Sequence, residues 1–100
     1  MLIIAGSITT EAGHRDAFLT AVAPMVVATH TESGCQEYAF SPDPVDANRI
    51  LLFELWDDQD ALDAHFATEH MAEFQSKMAG IAVAGMDVKK YTISDVGPVR

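Results

Sequence analysis

Ile50-Leu51-Leu52-Phe53-Glu54-Leu55-Trp56-Asp57-Asp58 is the stretch on which the reading of this chain turns. Alternate residues of a strand share a face, so Ile50, Leu52, Glu54 and Trp56 lie on one side. Leu51, Phe53 and Leu55 lie on the other. Both sides are apolar, and a chain of 100 residues can cover one sheet face with its own helices but not two. The second face must be buried by something else. We assign Leu51, Phe53 and Leu55 to the helix-covered core. Ile50, Leu52, Glu54 and Trp56 are assigned to a side enclosed by a second copy, with Glu54 and Trp56 nearest any chemistry.

The rest of the chain supplies a frame for this strand. Residues 2–9 are mostly apolar and predict a first strand. From Ala12 to about Glu32, Phe18, Val22, Met25, Val26 and Thr29 recur at helical spacing, with Pro24 inside and Ser33-Gly34 as the stop. Cys35–Phe40 predicts a second strand, and Ser41-Pro42-Asp43-Pro44 opens a turn-rich loop. Arg49–Trp56 is the third strand. Asp57 or Asp58 can cap the helix that follows, which carries Leu62, His65 and Phe66, pauses at Ala67-Thr68 and resumes through Met71, Phe74 and Met78. A last strand is expected from about Met86 to Ile93, followed by a tail over 94–100. The order β-α-β-β-α-β predicts a ferredoxin-like α+β domain, one antiparallel sheet with helices on one side, spanning residues 1–100.

Composition narrows the function classes. The formal charge of −9 argues against nucleic acid and anionic lipid as partners. No run approaches the roughly 20 apolar residues of a membrane helix, and the N-terminal stretch reads as a strand rather than a signal peptide. The single cysteine, Cys35, fits a reducing compartment, and a cytoplasmic location is expected. Hydrophobic residues make up 49% of the chain, enough to suggest a homodimer that buries the surplus. No phosphate loop, nucleophile elbow or dinucleotide fingerprint is present, which argues against nucleotide chemistry.

The candidate site residues follow from chemistry. Glu54, a carboxylate among apolar neighbours, gains a raised pKa and can serve as a base; the structural alternative is pairing with Arg49, Arg15 or a lysine. Trp56 either contacts a ligand or fills core. His70 is the preferred proton shuttle if it points into the cleft beside Trp56, and His65 is expected to make a helix-end hydrogen bond or to shuttle a proton itself. Their spacing of five is not the i, i+4 pair of a helical zinc motif, so no metal site is expected. Tyr38 and Ser7 either line the cleft or pack.

Together, Glu32-Ser33-Gly34-Cys35 with Tyr38, Phe53-Glu54-Leu55-Trp56, Ala61-Leu62-Asp63-Ala64-His65, and Thr68-Glu69-His70 with Phe74 closely resemble the antibiotic biosynthesis monooxygenase family. The resemblance runs from about Leu2 to Ile93. It implies a dimeric ferredoxin-like α/β-barrel and oxygen chemistry on quinols or polycyclic phenols without metal, flavin or haem. It puts Glu54, Trp56, His65 and His70 on the family's characteristic positions; we take Glu54, His70 and His65 as catalytic candidates, and Trp56, Ser7, Tyr38 and Phe74 as substrate contacts. Haem-degrading relatives use an Asn where Ser7 stands and a ligating His near Phe74, so haem breakdown is disfavoured. The expected partners are a small aromatic substrate, dioxygen and a second copy of the chain. Two alternatives stay open: a non-catalytic dimeric binding module for a hydrophobic compound, and an isomerase of a small metabolite.

Overall fold

The structure, a computed structural model, describes residues 1–100. Its elements are β1 (Leu2–Thr10), α1 (Arg15–Thr29), β2 (Cys35–Pro42), β3 (Arg49–Trp56), α2 (Gln59–Phe66), α3 (Glu69–Lys77), a 3-10 turn (Met78–Gly80) and β4 (Val83–Thr92). The strands form one antiparallel sheet in the order β2-β3-β1-β4, so the expected ferredoxin-like βαββαβ arrangement is present. No helix is long and apolar enough to cross a membrane.

Local chemistry explains the element boundaries. Gly34 ends the turn after α1 with φ +89, a left-handed conformation that side chains disfavour, and a Cβ there would lie 2.6 Å from the Cβ of Ala61. Asp58 rather than Asp57 caps α2, its carboxylate accepting from the Ala61 N–H, while Asp57 accepts from Gln36. The pause at Ala67-Thr68 is a full break. Thr68 caps α3 by accepting from Met71 N–H, and its hydroxyl donates to the His65 carbonyl at the end of α2, which also accepts from the Thr68 N–H. The final strand begins at Val83, earlier than the sequence pattern suggests, because β4 follows β1 along nearly its whole length.

The two faces of β3 are the reverse of the sequence assignment. Ile50 and Trp56 are fully buried, Leu52 and Glu54 nearly so, while Phe53 is 40% exposed and Leu51 and Leu55 are only partly covered. The helices therefore lie over Ile50, Leu52, Glu54 and Trp56. Phe18, Val22 and Met25 of α1 and Leu62 of α2 complete that core. Phe18 stacks at an angle on Phe40 and edge-on to Phe74, and Tyr38 meets Trp56 edge-on. A register shift between Cys35 and Glu37 places one extra residue in β2, so Cys35 joins Tyr38 and Phe40 on the core side.

The open face carries Ile3 and Ala5 of β1, Leu51, Phe53 and Leu55 of β3, and Tyr91 of β4, neighbours in the register Ile3↔Leu55, Ile3↔Tyr91 and Ala5↔Phe53. Ser7 pairs with Leu51 and belongs to this face.

Ile50→Ala tests the corrected assignment. Truncating a fully buried isoleucine should cost about 2–5 kcal/mol in urea unfolding. A loss below about 1 kcal/mol would place Ile50 outside the core.

Candidate active site

Between the helices and the inner face of the sheet lies a cavity of about 320 Å³. Strands bring Ile4, Ile8, Tyr38, Phe40, Leu52 and Glu54 to it, and the helices bring Phe18, His65 and Phe74. Phe66, Met78, Val83 and Met86 also line it, and Phe66 and Met86 are more than half exposed, which marks the open end. Every lining residue except Glu54 and His65 is hydrophobic. Such a space admits a compact aromatic or aliphatic molecule and offers it few polar partners.

Glu54 is 8% exposed, and its Oε1 accepts a 2.9 Å hydrogen bond from the Trp56 indole N–H. Residues i and i+2 of a strand share a face, which brings the two together. Burial pushes the Glu54 pKa up to about 7; the indole hydrogen bond opposes the rise and the Glu32 charge adds to it. Neither Arg49 nor Arg15 pairs with Glu54. Arg49 bridges to Asp43 at 2.7 Å, and Arg15 donates to the carbonyls of Asp43 and Asp46. Glu54 is thus a carboxyl group with no cationic partner, facing an apolar space at a pKa suited to gaining or losing a proton near neutrality.

His65 sits at the end of α2, 1% exposed, between two partners. Its Nδ1 lies 2.8 Å from Oε2 of Glu32, and its Nε2 lies 3.3 Å from the Tyr38 hydroxyl. A carboxylate only accepts, so Nδ1 carries the hydrogen, and in the neutral ring Nε2 accepts from the Tyr38 O–H. Burial raises the Tyr38 pKa well above the ordinary phenol value, and the Glu54 and Glu32 charges raise it further. Tyr38 therefore stays a hydroxyl. Nε2 of His70, on α3, also reaches Oε2 of Glu32, at 2.6 Å.

The structure gathers Glu54, His65, Tyr38 and Phe74 on one cavity. Trp56 lies behind that wall, fully buried and stacked 4.9 Å from His65, and reaches the cavity only through its bond to Glu54. His70 lines a separate space of about 100 Å³ between α1 and α3 rather than the cleft. Ser7 lies across the sheet from the cavity, because odd-numbered residues of β1 face the open side. Sequence reasoning gave Glu32 no role, although its carboxylate ties both histidines. It stands just beyond α1 and 33 residues before His65, a separation at which no spacing rule operates.

The model of the family described as "Antibiotic biosynthesis monooxygenase" matches residues 1–77, and the chain belongs to that family. The "Uncharacterized protein sll1783" of Synechocystis is 29% identical over 94 residues; the match takes in 94% of this chain and 64% of that protein's length. The "Putative monooxygenase YcnE" of Bacillus subtilis is 24% identical over 95% of this chain and 100% of its own length. A crystal structure described as a "putative antibiotic biosynthesis monooxygenase" from Deinococcus radiodurans superposes with a TM-score of 0.87 at 22% identity, covering 100% of this chain and 99% of that one. That likeness concerns the fold.

The raised Glu54 pKa sets a stability profile. Its folded value of about 7 exceeds the ordinary 4.5, so the native state holds this proton more tightly than the unfolded chain. The contribution is complete below about 4.5 and is lost as pH rises through about 7. Replacing the carboxyl by an amide should remove the slope. Urea unfolding of the native chain and Glu54→Gln is expected to show the native chain losing roughly 2–3 kcal/mol relative to the variant between pH 5 and pH 8.

Proposed function

We propose that this chain is a monooxygenase that oxidises a quinol-like or phenolic aromatic with dioxygen, using no metal, flavin or haem. The single observation that carries the reading is Glu54, a buried carboxyl with no cationic partner and a pKa of about 7, on the wall of an apolar cavity that also holds His65 and Tyr38. Glu54 takes a proton from the substrate hydroxyl. The resulting anion is electron-rich enough to pass an electron to dioxygen, and recombination forms a hydroperoxide on the ring carbon. Loss of water leaves one oxygen atom on the product, so a quinol and dioxygen yield a hydroxyquinone and water. The Tyr38–His65–Glu32 chain holds the substrate oxygen and relays a proton, Phe74 packs on the ring, and Trp56 orients Glu54. Exclusion of water keeps the anion reactive.

The test is oxygen uptake with a naphthoquinol series in metal-free buffer. Turnover should rise with pH through an apparent pKa near 7, as Glu54 ionises. Glu54→Gln is expected to lower kcat by roughly 10²–10⁴-fold, and His65→Gln to reduce it less. Oxidation no faster than in buffer alone, across the series, would remove the assignment.

The same proposal includes a homodimer joined through the open sheet face. Its support is the row of Ile3, Phe53, Leu55 and Tyr91, apolar and uncovered by the chain's own helices. Light scattering at micromolar concentration is expected to give about twice the chain mass, and Phe53→Asp to give the mass of one chain. A native chain that runs as a monomer would refute it.

A further inference from the structure

Glu32, His65 and His70 form a cluster whose composition goes beyond a proton relay. Oε2 of Glu32 lies 2.8 Å from Nδ1 of His65 and 2.6 Å from Nε2 of His70, and the three donor atoms fall within 4.8 Å of one another. Two imidazoles and one carboxylate are a donor set that first-row transition cations favour. With metal–ligand bonds of about 2.0–2.2 Å, donors in such a site sit roughly 3–4 Å apart. A cation would widen the two Glu32 pairs by roughly 0.5–1 Å and draw the histidines together.

Three further observations suit an ion there. A second partner already waits on His65: the Tyr38 hydroxyl, 3.3 Å from Nε2, can take the ring hydrogen that metal-bound histidines donate outward. The small cavity between α1 and α3 reaches His70, and Glu73 also lines it. The net charge of −9 draws cations toward the surface.

We propose that Glu32, His65 and His70 bind one divalent first-row transition-metal ion, of the zinc(II) or cobalt(II) class. The ion replaces both hydrogen bonds to Glu32. On His65 the ring hydrogen moves from Nδ1 to Nε2, so the bond that accepted from Tyr38 now donates to it. Occupancy therefore reverses the polarity of one cavity wall. The site is defined by binding alone: a bound ion takes the Glu32 end of the Tyr38–His65–Glu32 relay, so metal-free oxidation belongs to the chain without the ion.

Tag-free, chelator-treated protein titrated with Zn²⁺ by calorimetry, without substrate, should bind one ion per chain. Co²⁺ should give visible d–d absorption, and the ring signals of both His65 and His70 should move in NMR. His70→Ala and Glu32→Gln are each expected to weaken binding by at least about 10-fold, and His14→Ala to leave it unchanged. Should either site variant misfold, the NMR and Co²⁺ readings on the native chain decide. No binding at millimolar Zn²⁺, or binding that survives His70→Ala and disappears with His14→Ala, would overturn the proposal.

Discussion

The hydrogen bond from the Trp56 indole to Glu54 is the interaction around which this molecule is arranged. A carboxylate placed on the covered face of a central strand would ordinarily oppose folding, because burial withdraws water from a group that needs it. Here the largest side chain of the core supplies the one hydrogen bond, and the remaining burden appears as a pKa raised to about 7. The group can enter the interior because it need not stay ionised. The same arrangement leaves its other oxygen unclaimed by any cation, and a cavity of about 320 Å³ opens beside it.

Glu32 plays the complementary part behind His65, outside the cavity lining. One oxygen of its carboxylate ties the turn after α1 to His65 at the end of α2 and to His70 in the first turn of α3. The break between α2 and α3 makes this possible. A continuous helix would carry residues five apart to different faces, whereas the Thr68 cap redirects α3 so that both imidazoles converge. His65 is thereby fixed in orientation, and its second nitrogen meets Tyr38. The break that looked like a weak point in a helical pattern is the device that assembles the cluster.

Much of the architecture was legible from particular residues. The Gly34 stop, the aspartate cap before α2, the pause at Ala67-Thr68 and the alternation along β3 each depend on chemistry within a few residues, and the structure carries each of them. The β-α-β-β-α-β element order and the single antiparallel sheet were expected from the sequence, and the structure carries both. Glu54, His65, Tyr38 and Phe74 were named from residue type and resemblance, and they meet on one cavity. Ser7 was not separable from them by sequence, since its side of the sheet depends on the side of β3 it pairs with. Glu32 offered no local signal, because its partners lie on two other helices.

What the sequence alone determined is local: which segments are strands or helices, where they stop, and which residues of β3 share a face. It could not say which face of β3 the helices cover. Ile50, Leu52 and Trp56 are no more apolar as a set than Leu51, Phe53 and Leu55, and a glutamate among the former argued for the outside. Only the tertiary structure decides this. The side on which α1, α2 and α3 pack follows from the hand of the strand–helix–strand crossovers, a property of chain paths rather than of any one segment. Once that hand places the helices over Glu54, the indole bond, the cavity and the Glu32 cluster lie on the same side of the sheet.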